Sequence, residues 1–126
     1  MNLHFIDDDY AINRYHELTL NKVASEDNIK LEFHDNPPKT LEMYSKSEYL
    51  PDLIFLDINM PVIDGWEFLD LFNEQFPDAK TKFIILTTSN NPKHQEKSKS
   101  YTNVFDFAIK PLKPDVFIKY RELFLT

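Results

Sequence analysis

Apolar residues along the chain form two kinds of pattern, short runs of adjacent residues and longer segments with helical spacing. Continuous apolar runs occupy residues 3–6, 53–56 and 83–86. Runs of this length predict strands that are buried on both faces of a sheet. Residues 31–33 alternate apolar and polar side chains, and residues 104–109 form a further mainly apolar segment, so both are predicted to be strands as well.

Helical spacing follows each predicted strand. Five helices are therefore expected, over residues 10–24, 39–49 and 66–76, from residue 92 onward, and over residues 115–125. Asp8 or Asp9 could cap the first helix, and Asn91 followed by proline suits the start of the fourth. The apolar residues of the first helix are loosely spaced at helical intervals and are Ile12, Tyr15, Leu18, Leu20 and Val23.

The alternation of five strands with five helices predicts an α/β fold. Continuous apolar strands joined through helices are typical of a parallel sheet covered on both faces. We expect a flavodoxin-like (βα)5 three-layer sandwich with strand order 2-1-3-4-5, formed as a single domain by residues 1–126 without an output domain. The N-terminal segment lacks the basic start and long apolar run of a signal peptide, so a cytoplasmic protein is expected.

Composition excludes several functions of α/β proteins. The only glycine is Gly65, whereas a phosphate-binding P-loop or a dinucleotide fingerprint needs several. The chain has no cysteine, which excludes disulfides and thiolate chemistry. A net charge of -7 argues against direct nucleic-acid binding, and no apolar stretch is long enough to span a membrane.

Polar residues with chemical potential stand where the predicted strands end. Asp7, Asp8 and Asp9 follow the first strand, Asp57 the third, Thr87 the fourth and Lys110 the fifth. In an open α/β sheet, ligands bind beyond the carboxyl ends of the strands, where the strand order reverses. With order 2-1-3-4-5, the first and third strands are neighbours at that point, and their acids would share one pocket.

The chemistry of this set indicates phosphoryl transfer. Clustered carboxylates repel one another, and a divalent cation relieves the conflict; oxygen-only ligands favour Mg²⁺ or Mn²⁺ over zinc. A carboxylate nucleophile, a metal, a lysine and a hydroxyl together suit a phosphoryl group. Taken singly, each residue has an ordinary explanation: the aspartates as helix caps, Asp57 in a turn, Thr87 at a strand end and Lys110 at a loop entry.

Four segments of the chain resemble the receiver family of bacterial two-component systems, and specifically its stand-alone, chemotaxis-regulator-like members. They are Phe-Ile-Asp-Asp-Asp at 5–9, Asp-Leu-Ile-Phe-Leu-Asp-Ile-Asn-Met-Pro at 52–61 with Asp-Gly at 64–65, Ile-Leu-Thr-Thr-Ser at 85–89, and Phe-Ala-Ile-Lys-Pro-Leu at 107–112. The resemblance covers the whole chain. It implies a response regulator, a signalling switch and not an enzyme for an external substrate.

The resemblance also implies a role for individual residues. Asp57 would be the phosphoacceptor and would ligate Mg²⁺ (or Mn²⁺) together with Asp8 and the backbone carbonyl of Asn59, with Asp7 in support. Lys110 would pair with the phosphoryl group, and its peptide bond to Pro111 is expected to be cis. Thr87 and Phe107 would be the switch residues. Asn59 and Ser89 resemble the positions that tune dephosphorylation.

Partners follow from the same resemblance. The phosphoryl donor would be a sensor histidine kinase or a histidine phosphotransfer protein, and an unknown protein target would recognise the changed surface of helix 4, strand 5 and helix 5. Two alternatives stay open. One is a degenerate receiver acting as a constitutive binding module; the other is a haloacid dehalogenase-type phosphatase, which needs an acid where Asn59 stands.

The fourth helix is unusual for its lack of apolar side chains. Residues 92–100 contain no large apolar residue, and Tyr101 is the first one after them. Short helices are marginally stable unless they bury an apolar face. We therefore expect the fourth helix to be the least stable element of the fold.

Overall fold

A computed structural model describes residues 1–88 and 91–124 of the chain. In this part of the chain five strands alternate with five helices. The strands are β1 (Asn2–Ile6), β2 (Lys30–His34), β3 (Leu53–Asp57), β4 (Lys82–Thr87) and β5 (Val104–Ile109). The helices are α1 (Tyr10–Glu26), α2 (Pro37–Ser45), α3 (Gly65–Gln75), α4 (Pro92–Ser98) and α5 (Pro114–Phe124).

The five strands form one sheet in the order β2-β1-β3-β4-β5, and each pair of neighbours is parallel. The predicted flavodoxin-like architecture is thus confirmed. Every residue of the central strand β3 is buried, as its uninterrupted apolar sequence predicts. The two sheet faces carry separate apolar cores, one formed with α2 and α3 and the other with α1 and α5.

Polar caps set where the helices begin. The Asp9 carboxylate accepts the backbone N–H groups of Ala11 and Ile12, so of the two candidate caps it is Asp9 that starts α1. At α3, Asp64 and Glu67 form a reciprocal capping box. The predicted Asn91 cap of α4 is confirmed by its side chain, which accepts the Lys93 N–H.

Two boundaries of α2 differ from the sequence expectation of 39–49. The helix begins at Pro37, directly after the Asn36 cap, because the first helical turn does not need the N–H that proline lacks. It ends at Ser45. Beyond it, the Ser47 hydroxyl donates to the Tyr49 carbonyl and accepts the Tyr49 N–H, which closes a turn in place of another helical turn.

The buried face of α1 coincides only in part with the apolar residues that predict the helix. Leu18 is 67% exposed and Tyr15 is also exposed, whereas the buried positions are Asn13, His16, Leu20 and Ala24. These four residues follow a spacing of three and four, as one helical face requires. The two polar residues among them replace apolar packing with hydrogen bonds near the carboxyl ends of the strands.

No helix in residues 1–88 or 91–124 has both the length and the apolar character that a transmembrane segment requires.

Candidate functional site

Three carboxylates meet at the carboxyl ends of two neighbouring strands. Asp7 follows β1 directly and Asp57 is the last residue of β3, and these strands pair with Ile6 opposite Leu56. Carboxylate oxygens of Asp7, Asp8 and Asp57 all lie within 4.8 Å of one another. Asp7 and Asp57 are buried and Asp8 is exposed, so the cluster opens to solvent on the side of Asp8.

Lys110 brings a positive charge into this cluster. Its side chain is only 6% exposed, and its Nζ donates to Asp7 Oδ2 at 2.7 Å and lies 3.4 Å from Asp57 Oδ2. The Lys110 N–H donates to the Thr87 carbonyl at 2.8 Å, which fastens the end of β5 to the end of β4. The Lys110–Pro111 peptide bond is cis, as the resemblance implies.

Burial shifts the acid–base properties of the cluster. Removal from water, and next the charge of Asp7, raise the pKa of Asp57 to about 6, although the Asn59 N–H and Lys110 act in the opposite direction. Burial alone would lower the pKa of Lys110. The hydrogen bond and charge of Asp7, followed by the charge of Asp57, outweigh that effect and raise the pKa of Lys110, so the lysine stays protonated.

Asp7 is held in place from three sides. Its Oδ1 accepts the Asp9 N–H at 2.9 Å, its Oδ2 accepts Lys110, and its backbone carbonyl accepts Nδ2 of Asn13 at 2.8 Å. Nearby, Nε2 of His16 accepts the Leu112 N–H at 2.9 Å, so α1 also supports the segment that follows Lys110. The orientation of the carboxylate cluster therefore depends on α1 as well as on the sheet.

Asn13 and His16 are functional positions that the apolar pattern does not reveal. Both are buried polar residues, and burial is favourable for polar groups only when they are hydrogen-bonded. Burial, and then the charge of Lys110, lower the pKa of His16 to about 4, which keeps the ring neutral and Nε2 free to accept. The sequence feature that could have identified them is their spacing of three residues, which places them on the same helix face as Leu20 and Ala24.

The loop after β3 is packed tightly against Asp57. The Asn59 N–H donates to Asp57 Oδ1 at 3.2 Å, and the Gly65 N–H donates to the Ile58 carbonyl at 3.1 Å. A β-carbon at position 65 would lie 2.5 Å from the Asp57 carbonyl oxygen and 2.7 Å from Ile58 Cα. Only glycine allows α3 to begin this close to the strand that carries Asp57.

The two predicted switch residues lie on neighbouring strands. Thr87 is buried at the end of β4, and Phe107 on β5 is half-buried and packs against the core on the α3 side of the sheet. Phe107 pairs with Ile85, two residues before Thr87, so the two side chains belong to the same sheet face. Ser89, the second predicted tuning position, lies outside the described residues, whereas Asn59 is exposed beside Asp57.

The donor set of the cluster fits a hard divalent cation. All the side-chain donors of Asp7, Asp8 and Asp57 are carboxylate oxygens, the ligand type that Mg²⁺ and Mn²⁺ prefer. Two buried carboxylates, those of Asp7 and Asp57, face the single ammonium group of Lys110, so Lys110 neutralises only part of their negative charge. A cation beside the exposed Asp8 would relieve this excess.

Comparisons with known proteins agree on one family. The family model described as the response regulator receiver domain matches residues 3–121. A two-component response regulator from Legionella pneumophila superposes with a TM-score of 0.83 at 26% identity, covering 99% of this chain and 98% of that one. A two-component response regulator from Cytophaga hutchinsonii superposes with a TM-score of 0.84 at 24% identity, covering 98% and 96%.

Curated relatives match over only part of their own length. The transcriptional regulatory protein FlgR of Helicobacter pylori is 28% identical over 119 residues, which are 94% of this chain and 28% of FlgR. The uncharacterized transcriptional regulatory protein YhcZ of Bacillus subtilis is 31% identical over 81 residues, or 60% of this chain and 34% of YhcZ. The chain thus spans about a third of the length of these relatives. On the family match and the fold, the chain belongs to the response regulator receiver domains of two-component systems.

Proposed function

We propose that Asp57 accepts a phosphoryl group from a phosphohistidine, carried by a sensor histidine kinase or a histidine phosphotransfer protein. The observation that carries the proposal is the position of Lys110. Its ammonium group lies between the buried carboxylates of Asp7 and Asp57, with Asp8 completing the acid cluster. Receiver domains are signalling switches, and this geometry supports a switch that is set by phosphorylation.

The proposed step is a displacement at phosphorus. A carboxylate oxygen of ionised Asp57 attacks the phosphorus atom, a new O–P bond forms, and the P–N bond to the donor imidazole breaks. The electron pair of that bond leaves with the imidazole nitrogen. Lys110 is placed to stabilise the added phosphoryl charge, because it already contacts Asp57 and is kept protonated by Asp7.

Mg²⁺ supports this step in receiver domains generally, by neutralising phosphoryl oxygens. In this chain, Asp8, Asp57 and the Asn59 carbonyl would hold the ion, with Asp7 in support. The combined charge of the buried Asp7 and Asp57 carboxylates exceeds that of Lys110, which favours such binding. Asn59 and Ser89 are proposed to tune the lifetime of the phosphorylated form.

The response is proposed to pass from Thr87 to Phe107. The phosphoryl group adds acceptor oxygens that attract the Thr87 hydroxyl, and a shift of this buried residue opens space on the sheet face that it shares with Phe107. The surface formed by α4, β5 and α5 would change shape with it. A partner with unequal affinity for the two shapes then detects phosphorylation.

Incubation with acetyl phosphate and Mg²⁺ followed by intact-mass measurement tests the proposal. We expect one phosphoryl adduct per chain, absent from Asp57→Asn and strongly reduced in Asp8→Asn. Asp52→Asn provides a matched control, because Asp52 lies at the opposite end of β3. If the wild type gains no adduct and also fails to bind beryllofluoride, the proposal is wrong and a constitutive binding module is the better interpretation.

A further inference from the structure

A second cluster of metal-ligand residues lies on the other side of β1, away from Lys110. His4 of β1 pairs with Glu32 of β2, and His34 is two residues further along β2 on the same face. One ligand atom from each of His4, Glu32 and His34 lies within 4.8 Å of the other two. Nothing in the proposed phosphorylation uses these residues.

Helix α2 orients both imidazoles toward the carboxylate. Nδ1 of His4 lies 2.6 Å from the Tyr44 hydroxyl, and Nδ1 of His34 lies 3.1 Å from Oγ1 of Thr40. The Nε2 atoms therefore face Glu32, at 2.9 Å from Oε2 for His4 and 3.9 Å from Oε1 for His34. Histidines that bind metals are commonly held in this manner, with the remote ring nitrogen bonded to a protein group.

Thr40 contacts both α2 and His34. Its hydroxyl donates to the Asn36 carbonyl at 3.1 Å, and its Oγ1 lies 3.1 Å from Nδ1 of His34. In the tautomer that carries the His34 proton on Nδ1, this N–H donates to Oγ1 and Nε2 presents a lone pair. This atom is buried and has no hydrogen-bond partner, although a carboxylate oxygen lies near it.

A buried lone pair that faces a carboxylate is unfavourable unless a cation lies between them. A metal ion can take this place, because its ligands in proteins are neutral imidazoles and carboxylates. The cluster offers both types of ligand, with one atom from each residue within 4.8 Å of the other two.

We propose that His4, Glu32 and His34 form a binding site for a divalent transition metal, with Zn²⁺ as the preferred ion. Two imidazoles and one carboxylate are a common zinc ligand set, whereas Mg²⁺ prefers oxygen alone. Ligand atoms of tetrahedral zinc are about 3.3 Å apart, which follows from zinc–ligand distances of about 2.0 Å. The separations of 2.9 and 3.9 Å bracket that value.

The site has an open fourth position. The Glu32 side chain is 39% exposed, so solvent or a further ligand can reach the ion from the β2 edge of the sheet. The bound ion would link β1 to the edge strand β2, and through Tyr44 and Thr40 it would link both strands to α2. We expect a binding site that stabilises this edge.

Zinc titration of the metal-free protein against a chromophoric competing chelator, with excess Mg²⁺ present, tests the proposal. We expect one Zn²⁺ per chain. His34→Gln and Glu32→Gln should each weaken binding at least a hundredfold, whereas Thr40→Val, which removes only an orienting hydroxyl, should weaken it about tenfold. His94→Gln is the matched control, because His94 stacks on Trp66 on α3 and should leave the affinity unchanged.

Two further measurements make the result independent of folding defects. Co²⁺ bound to the wild type should give the visible absorption of a four-coordinate ion, and circular dichroism checks that each variant is folded. The proposal is overturned if the wild type binds Zn²⁺ no more tightly than His34→Gln does. It is also overturned if Asp57→Asn abolishes zinc binding while His34→Gln retains it, because the ion would then occupy the carboxylate cluster.

Discussion

At the residue scale, Asp57 combines two conflicting demands. As the proposed nucleophile it would have to be ionised, yet its side chain is 2% exposed and lies beside the carboxylate of Asp7. Its pKa is raised from 3.8 to about 6, so the folded protein binds a proton at Asp57 more readily than the unfolded chain does. Ionised Asp57 therefore destabilises the fold above pH 6, and the destabilisation disappears as the pH falls through 6 toward 4.

Asp57→Asn is accordingly expected to stabilise the protein near neutral pH. In the presence of EDTA at pH 7, its free energy of unfolding should exceed that of the wild type by about 1–2 kcal/mol, because the amide needs no charge solvation. The difference should shrink between pH 6 and 4. Urea unfolding at several pH values measures it, and an equal difference at pH 4 and pH 7 would contradict the argument.

Gly65 gives a second prediction at the residue scale. Gly65→Ala should lower the free energy of unfolding by about 1–3 kcal/mol, because the new methyl group would press on the backbone of Asp57 and Ile58. It should also slow phosphorylation by acetyl phosphate, since the backbone of Asp57, the proposed phosphoacceptor, would have to move. Urea unfolding and the mass assay measure the two effects.

The control for Gly65→Ala is Glu74→Ala, at an exposed position of the same helix. It should change stability by no more than about 0.5 kcal/mol. A Gly65→Ala variant as stable and as reactive as this control would show that the start of α3 moves freely away from β3.

The residues of the carboxylate cluster were predictable because each one ends an apolar strand. Asp7, Asp57 and Lys110 meet as the strand order requires. Asn13 and His16 were not, because their role depends on hydrogen bonds to partners that are distant in sequence, such as Leu112. Apolar periodicity cannot reveal a helix face that is buried through polar contacts. The functional roles of the cluster residues stay predictions until the phosphorylation assay.

At the element scale, α4 buries little of its own surface and contacts the Trp66 ring of α3. Of its seven residues the buried one is Ser98. The His94 ring stacks on Trp66 with centroids 6.1 Å apart, Nζ of Lys97 lies 5.2 Å from the Trp66 ring centre, and Tyr101 stacks on the same ring at 5.7 Å. A helix with few apolar contacts needs little free energy to unfold locally.

Hydrogen exchange should therefore distinguish α4 from α3. Amides of residues 94–98 are expected to exchange at least about ten times faster than those of residues 69–75. Tyr101→Ala should accelerate exchange in α4 further, because it removes the stacked ring that follows the helix. Equal protection in α3 and α4 would disprove the expectation.

Tyr101→Phe is the control in this experiment. It keeps the ring on Trp66 and loses only the hydrogen bond from the Tyr101 hydroxyl to Asp70, which is 2.8 Å long. If Tyr101→Phe accelerated exchange as much as Tyr101→Ala, the hydrogen bond and not the stacking would hold α4.

Element types and order were predictable, and most differences lie at element ends. The continuous apolar run at 53–56 predicted strand β3, which extends one residue further, to Asp57, because such a run has clear limits. Helix α2 differs from its predicted bounds of 39–49 because the first helical turn accepts Pro37 and Pro38, which lack an N–H that this turn does not need. The last helix was predicted to continue to residue 125, which lies outside the described residues.

At the scale of the whole molecule, the net charge of -7 and the carboxylate cluster are expected to make the stability of the fold depend on divalent cations. A ligand that binds only the folded state stabilises it by mass action. Mg²⁺ at ten times its dissociation constant should add about 1.4 kcal/mol to the free energy of unfolding and raise Tm by a few degrees.

Thermal unfolding with Mg²⁺, compared with NaCl at the same ionic strength, measures this effect. Asp8→Asn should abolish most of the difference between the two salts, because it removes the exposed ligand of the cluster. An equal gain from NaCl would mean that general screening of the negative charge, and not a specific site, is responsible.

The topology was predictable as a whole, because an alternating series of strands and helices leaves few arrangements of a parallel sheet. The two covered faces followed from that series, and the observed strand order is the one expected for the flavodoxin-like fold. The His4–Glu32–His34 cluster did not, because it depends on the register between β1 and β2, which apolar runs do not specify. The absence of an output domain stays a prediction.

The single glycine of the chain is used to bring two backbones into contact, not to let one bend. This close packing leaves little room for α3 to swing away from β3 as a rigid body. The proposed transmission from the carboxylate cluster to the outer surface is therefore expected to proceed by side chains exchanging places and by small sliding of packed elements. Such a signal would be sensitive to the volume of each side chain along its course, so that even a methyl group added between Thr87 and Phe107 should weaken it.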